Sequence, residues 1–433
     1  MDVKIIRFVL LFAFSFSITF AQTSETKSEF FEWLGTKPGI EIKKVNPPDS
    51  MFSESYEIMM EQPLDHINPE SPKFKQQLYV SFRGKNQPVV LVTEGYSGYN
   101  SAYELSKLLD ANQIIIEHRF FDESTPDSSI FDWKYLTIKQ AADDHHAVVK
   151  LFKEYFTGKW VNTGISKGGQ TVMFHCRFYP DDVDASVAYV GPLNFAPSDD
   201  RVHEFLKSVS TPECRERVHN FQSLALKHKN ELLKLFSADA KEKGYTFSIG
   251  LPEAFEYTVL EYSFAYWQWS DGNCGVIPDS TSSVEEIYGH LAKFATIDCF
   301  SDQGIKFFEP FFYQAFTEIG YYDYDITEFP GLIGYVDGSN KCYYPKNFNG
   351  TFDPTVMQDI NHWIQNEGNN FIFIYGGNDP WSSTAVKLTG KTNSIKMVLK
   401  GGNHTTRINS FPRDQRNIIF SKLEEWLGVD IKE

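Results

Sequence analysis

The chain has 433 residues and a formal net charge of −16, and 42% of its residues are hydrophobic and 16% aromatic. This composition excludes a disordered chain, and the length suits one large enzyme domain that carries a substantial insertion. The acidic balance argues against anionic partners, so we expect neither nucleic acid nor an anionic membrane surface to bind.

The N-terminus is typical of a secretory signal. Lys4 and Arg7 precede an uncharged run over residues 8–20, and Thr19-Phe20-Ala21 offers a small-x-small cleavage site. The apolar run is too short for a membrane span. We therefore predict a signal peptide at residues 1–21, no membrane anchor, and a secreted or periplasmic protein.

The first half of the mature chain alternates between strand and helix patterns. After a segment predicted as irregular (residues 23–50), the strands are predicted at 55–61, 74–82, 88–93, 113–117, 159–165 and 185–190. The helices between them are predicted at 102–109, 137–156 and 169–179. Strands that alternate with helices indicate a mainly parallel sheet, and therefore an α/β fold class.

The region from 197 to 361 has a different character, because it is rich in aromatic residues and helix-forming stretches. Strand patterns return at 371–375 and 395–399, and a closing helix is predicted at 413–427. We therefore predict an α/β-hydrolase domain in two parts, 22–196 and 362–433, with a helical cap at 197–361 inserted between them. Ligands of such sheets bind beyond the carboxyl ends of the strands.

A sharp turn after the fifth predicted strand carries the best candidate nucleophile. Gly164-Ile165-Ser166-Lys167-Gly168 fits G-x-S-x-G and lies between a strand pattern and a helix pattern, as in a nucleophile elbow. The pattern is common, and a plain Gly/Ser-rich turn is the alternative. The elbow would hold Ser166 at a helix N-terminus, where unpaired N–H groups favour developing negative charge.

Two later strand ends supply the partners that a serine nucleophile needs. In α/β-hydrolases the order along the chain is Ser, then Asp or Glu, then His. Asp379 follows the first strand after the insertion, and His404 follows the next one. A turn former before Pro380 and a surface-loop histidine are the alternatives. We predict a triad of Ser166, Asp379 and His404.

The developing oxyanion needs backbone donors. We expect one from the N–H of Lys167 and a second from Gly95 or Tyr96, in a glycine-bearing loop after the third strand that could also be an ordinary turn. We expect the Lys167 side chain itself to be solvated.

No metal or cofactor is predicted. Asp143-Asp144-His145-His146 is interpreted as part of an ordinary helix, because adjacent histidines do not form the i, i+4 pair of helical zinc sites. The five cysteines are an odd number. Cys176 is interpreted as a buried thiol, and one or two disulfides are expected among Cys214, Cys274, Cys299 and Cys342, with the pairing open.

The chain resembles secreted serine peptidases related to prolyl carboxypeptidase, dipeptidyl-peptidase II and the bacterial prolyl tri/tetrapeptidyl aminopeptidases. The segments that carry this resemblance are Glu61 to His66, Glu117 to Phe121, Gly164 to Gly169, Tyr313 to Tyr322, and Gly376 to Trp381 with His404. The sequence Ser-Lys-Gly-Gly at the candidate nucleophile favours the bacterial aminopeptidase branch. Phe316 stands where eukaryotic members usually have cysteine, so one family disulfide is expected to be absent or rerouted.

The resemblance implies release of tri- or tetrapeptides from free N-termini, preferentially after proline. An aminopeptidase must hold an ammonium group, and a carboxylate can do so. Glu318 in the matching cap motif is our first candidate and Glu94 the second, with a surface or helix-capping glutamate as the alternative. Trp381 and Tyr322 are candidate walls for the proline pocket, although aromatic residues of a cap are more often core.

Two other classes of function are compatible with the sequence. A carboxylesterase or lipase would use the same triad on esters, and a catalytically silent protein would use the cap only for recognition. An intact candidate triad argues against the second. The sequence predicts peptide substrates with free N-termini as partners and does not predict the oligomeric state.

Overall fold

The computed structural model describes residues 28–432, so the predicted signal peptide lies outside the described residues. The first described element is a short helix, α1 (Glu29–Gly35), which the Ser28 side chain caps by accepting the N–H of Phe31. No helix within residues 28–432 is long and apolar enough to cross a membrane.

Nine strands within the described residues form one sheet in the order β1-β2-β3-β5-β4-β6-β7-β8-β9. The first three strands and the β3–β5 pair are antiparallel, and all other neighbours are parallel. The strands are β1 (Ile40–Val45), β2 (Glu54–Pro63), β3 (Lys73–Phe82), β4 (Val89–Thr93), β5 (Asn112–Ile116), β6 (Trp160–Ile165), β7 (Ala185–Tyr189), β8 (Phe371–Gly376) and β9 (Ile395–Leu399). This mainly parallel order, with helices as crossovers, is the predicted α/β-hydrolase fold.

The inner strands β4 to β8 are buried on both faces, as their apolar sequences require, whereas the edge strand β9 is only partly buried. Side chains alternate across a strand, so Ile372 and Ile374 of β8 pack in the cluster that also contains Ile419 and Leu423 of the C-terminal helix. Phe371 and Phe373 point to the opposite face and belong to the cluster that contains Val172 and Met173 of α4 and the helices between β7 and β8.

One sequence prediction about the sheet is wrong. Residues 40–45 lie within the segment predicted as irregular, but they form β1 and pair with β2. The strand lies at the sheet edge, and Ile40, Ile42 and Val45 are only partly buried. Such an edge strand has a weak apolar pattern, because neither of its faces is fully covered.

The helices α2 (Glu104–Leu108), α3 (Ile138–Phe152), α4 (Lys167–Phe178) and α13 (Arg413–Leu427) accompany the sheet. Between β7 and β8 the chain forms a helical region that contains α5 (Arg201–Leu206), α6 (Pro212–Lys227), α7 (Lys229–Lys243), α8 (Leu251–Trp269), α9 (Val284–Phe294), α10 (Asp302–Phe307), α11 (Glu309–Gln314) and α12 (Pro354–Asn366). The predicted cap boundary at residue 361 falls inside α12, whose Asp359 pairs with Arg177 of α4 at 2.9 Å. The division into hydrolase and cap domains remains a prediction.

A buried ion pair joins two of the segments that carry the family resemblance. The Arg119 guanidinium donates to both oxygens of Asp144 on α3, at 2.7 and 2.8 Å. His66 contacts the same carboxylate at 2.7 Å. Burial by itself would raise the pKa of Asp144, but Arg119 and His66 hold it below its usual range. Asp143 to His146 lie within α3, and no group of three metal-ligating side chains occurs within residues 28–432.

One disulfide, Cys214–Cys274, closes part of the helical region by joining α6 to the segment after α8. Cys176 is a buried free thiol as predicted, and Cys299 and Cys342 are also free.

Candidate active site

Ser166 lies in a strained turn between β6 and α4. Its φ of 59° and ψ of −120° are rare for a residue with a side chain. The turn is tight enough that a Cβ at Gly164 would lie 2.2 Å from the carbonyl oxygen of Gly168. The N–H of Ser166 donates to the Tyr189 carbonyl at the end of β7 at 2.9 Å. The backbone therefore has the conformation of a nucleophile elbow.

Asp379 and His404 are in direct contact. The Nδ1 of His404 lies 2.7 Å from Oδ2 of Asp379, and both side chains are buried. The other carboxylate oxygen accepts the N–H of Trp381 at 3.1 Å, which orients it. Ser166, by contrast, makes no side-chain hydrogen bond to His404 within the described chain. Such nucleophile–base bonds are often long before substrate binds.

The C-terminal end of α8 holds the loop that carries His404. The N–H of His404 donates to the Gln268 carbonyl at 3.0 Å, and the Asn403 amide donates to the Ser270 carbonyl at 2.8 Å. The Trp269 ring stands edge-on to the His404 ring at 5.3 Å and remains 50% exposed. No local sequence signal marks Trp269, because it lies far from the motifs along the chain.

The loop after β4, which is predicted to supply a second oxyanion donor, lies against the elbow. A Cβ at Gly95 would lie 2.5 Å from the Cβ of Lys167 and 2.7 Å from the backbone nitrogen of Gly168. Within residues 28–432, neither Lys167 nor Tyr96 uses its N–H in a backbone hydrogen bond outside regular structure. These N–H groups are therefore available to a ligand beside Ser166.

The Lys167 side chain is buried, which corrects the expectation that it is solvated. Its ammonium donates to the Gly95 carbonyl at 2.6 Å and lies over the rings of Tyr96 and Phe121, at 5.5 and 5.3 Å. Burial lowers the pKa of Lys167 well below its usual range, against the opposing effect of Glu318. The Lys167 side chain thus ties the loop after β4 to the elbow.

Gly95→Ala is expected to lower kcat by about 100- to 1,000-fold, because the added Cβ would push the loop away from the elbow and misplace an oxyanion donor. The measurement is steady-state kinetics with a peptide amide. Gly289→Ala on α9 is the matched control, since a Cβ there meets no atom within 4 Å. Equal kcat values for the two variants would contradict a role for the loop.

The two carboxylates predicted to bind substrate have different surroundings. Oε2 of Glu318 accepts the N–H of Ile138 at the start of α3, at 2.8 Å, so Glu318 caps a helix. Burial raises the pKa of Glu318 to about 7, although Lys167 opposes the shift. Glu94 accepts a hydrogen bond from the Tyr103 hydroxyl, and burial also raises its pKa to about 7.

The two predicted aromatic residues pack together beside Asp379. The rings of Tyr322 and Trp381 lie 5.4 Å apart, and Phe264 of α8 stacks on Tyr322 at 4.0 Å. Both predicted residues are buried. The Tyr322 hydroxyl donates to Glu261 on α8, a carboxylate that the sequence analysis did not single out.

Comparison with known proteins gives consistent results. A family model described as PS-10 peptidase S37 matches residues 34–432. A prolyl tri/tetrapeptidyl aminopeptidase from Streptomyces mobaraensis is 32% identical over 379 residues, covering 85% of this chain and 79% of the relative. The solved structure of a proline iminopeptidase from Mycobacterium smegmatis aligns with 85% of this chain and 98% of its own chain, at 12% identity and a TM-score of 0.42.

Proposed function

Since the chain belongs to the PS-10 peptidase S37 family and is a serine peptidase, we propose that it releases tri- or tetrapeptides from free N-termini, preferentially after proline. The observation that carries the proposal is the Asp379–His404 hydrogen bond at the carboxyl ends of two strands of the sheet that also presents Ser166. The named activity of the Streptomyces relative supports the substrate class.

In the proposed reaction Ser166 Oγ attacks the scissile carbonyl carbon. Because Asp379 occupies Nδ1 of His404, the nitrogen left to accept the serine proton is Nε2. His404 then gives that proton to the leaving amine, and the peptide remains as an ester on Ser166. A water molecule, deprotonated by His404, hydrolyses this acyl-enzyme and frees the serine. No cofactor takes part in this scheme.

Backbone donors stabilise the oxyanion in both steps. We assign the N–H of Lys167 as one donor and the N–H of Gly95 or Tyr96 as the other, because the loop after β4 lies against the elbow. The buried Lys167 ammonium then acts as a positioning group, since its contact with the Gly95 carbonyl holds the loop in place.

The helical region supplies the specificity in this proposal. The exposed Trp269 beside His404 offers an aromatic surface for a proline ring. Trp381 and Tyr322, the two candidates from the sequence, are packed together as a buried pair. Glu318 and Glu94 are two candidates for the carboxylate that holds the substrate amine, and Glu261 is a third.

Export through the predicted signal at residues 1–21 is part of the proposal. The Cys214–Cys274 disulfide supports an oxidising compartment, where such bonds persist. The cap predicted at 197–361 would then cover a site that acts on peptides outside the cytoplasm.

We expect the wild-type protein to cleave a proline-ending tripeptide amide at least about 10-fold faster, in kcat/KM, when the N-terminus is free than when it is acetylated. A lost charge-assisted contact has an effect of this size. Chromogenic amides with and without the acetyl group provide the measurement, and short-chain acyl esters serve as the comparison. Robust ester cleavage without amide cleavage would instead favour a carboxylesterase.

A further inference from the structure

Glu261 is a carboxylate of the helical region whose neighbours are tyrosines. The Tyr322 hydroxyl lies 3.0 and 2.9 Å from its two oxygens, and the Tyr324 hydroxyl donates to Oε2 at 2.8 Å. The side chain retains partial access to solvent. Burial nevertheless raises its pKa to about 7, against the effect of both hydroxyls.

Glu261 differs from Glu256, on the same helix, because it has no cationic partner. Within residues 28–432 no lysine, arginine or histidine forms an ion pair with it. Glu256, on the same helix, pairs with Lys229 and accepts the N–H groups of Gly334 and Tyr335. A desolvated carboxylate that lacks a counter-ion gains from a bound cation, because its charge is otherwise compensated only by neutral hydroxyls.

The helix that carries Glu261 also reaches the catalytic histidine. Residues 261 and 268 are seven apart, so they lie on one face of α8, about 10 Å from each other along the axis. Gln268 accepts the N–H of His404. Three residues of extended peptide also span about 10 Å. The helix therefore separates Glu261 from the backbone contact with His404 by about the length of a tripeptide.

The two other candidate carboxylates fit an ammonium group less well. Glu318 already caps α3 and interacts with the Lys167 ammonium. Glu94 adjoins Gly95 in the chain, so a cation bound to it would lie within about one residue of the scissile carbonyl, given a span of about 3.5 Å per residue. Glu318 is thus already engaged by α3, and Glu94 lies beside the proposed oxyanion loop.

We propose that Glu261, held by Tyr322 and Tyr324, binds the N-terminal ammonium group of the substrate and that α8 thereby sets the length of the released peptide. The inference rests on the proposed exopeptidase function. The carboxylate would accept hydrogen bonds from the ammonium group, and the packed rings of Phe264, Tyr322 and Trp381 would form the wall between this subsite and the triad.

The test compares Glu261→Gln with the wild-type protein on proline-ending di-, tri- and tetrapeptide amides, each with a free and an acetylated N-terminus. For tripeptides with a free N-terminus we expect kcat/KM to fall about 10- to 100-fold, while acetylated substrates change less than about 2-fold. The preference for tripeptides over dipeptides should fall in parallel. Tyr324→Phe, which removes one of the hydrogen bonds to Glu261, should show a smaller loss of the same kind.

Glu253→Gln on the same helix is the matched control, and Glu318→Gln and Glu94→Gln test the competing carboxylates. The rate of Ser166 labelling by a fluorophosphonate shows that each variant is folded and chemically competent. If Glu261→Gln labels normally and still discriminates free from acetylated tripeptides, the Glu261 assignment is wrong. If the wild-type protein itself does not discriminate between them, the exopeptidase proposal is wrong and the assignment falls with it.

Discussion

Replacing Ser166 by alanine is expected to lower kcat for peptide amides by about 10⁴- to 10⁶-fold. The substitution removes the proposed nucleophile and leaves the Asp379–His404 pair and the oxyanion donors in place, so the residual rate would come from binding and charge stabilisation alone. Steady-state kinetics measures the loss, and fluorophosphonate labelling should disappear completely.

Because Ser166 has a positive φ, stability provides an independent readout of the elbow. Ser166→Ala retains a Cβ in the strained conformation and should unfold like the wild-type protein. Ser166→Gly relieves that strain and should raise the free energy of unfolding by about 1 kcal/mol while remaining inactive. Ser208→Ala, at an exposed position in the helical region, should change neither activity nor stability. An active Ser166→Ala variant would exclude the proposed mechanism.

Replacing Arg119 by methionine is expected to lower the free energy of unfolding by about 3–5 kcal/mol, because it leaves the buried Asp144 carboxylate without its cation. Arg119 is completely buried and also donates to the carbonyls of Leu64 and Tyr135, at 3.0 and 2.6 Å. The side chain therefore connects the end of β2, the segment after β5, and α3. Denaturant titration followed by fluorescence measures the change.

Arg83 provides the matched control, since it forms the same kind of pair with Asp110 at 2.7 Å but is 38% exposed. Arg83→Met should cost at most about 1 kcal/mol, because water screens an exposed pair. Replacing Arg119 by methionine and Asp144 by leucine together should recover part of the loss, since no unpaired charge would remain buried. Equal losses for Arg119→Met and Arg83→Met would show that Arg119 does not stabilise the fold in this way.

The segments that carry the resemblance to known peptidases do not all have the same role in the structure. Glu117 to Phe121 follows a strand end, like the residues of the predicted triad, and is one of the segments that carry the resemblance. In the structure Arg119 is bound by Asp144 and by carbonyl groups, so its part in the fold is structural. A motif and a strand end are local features, and they do not reveal whether a charged group meets a substrate or a buried partner.

The burial of Lys167 shows the same limit. A lysine in a Gly-rich turn is usually exposed, and this favoured a solvated side chain. Its surroundings come from the loops after β4 and β5, which bring Tyr96 and Phe121 over the ammonium. Tyr96 and Phe121 are far from Lys167 along the chain, so the sequence does not reveal that they enclose its side chain.

The sequence by itself determined the order of strands and helices around the elbow, because these depend on local alternation, apolar runs and glycine positions. It also determined that Asp379 and His404 follow neighbouring strands, whose carboxyl ends meet at one edge of a parallel sheet. Only the tertiary structure decided which helical-region groups reach the site. One helix of this region, α8, carries Glu261, Gln268 and Trp269. Tertiary packing brings Glu261 to Tyr322, and it brings Gln268 and Trp269 to His404. The pairing of the strands follows from apolar runs and from the alternation of strands and helices, which are local features of the sequence. The contacts of the helical region depend instead on side-chain packing between segments that are distant along the chain.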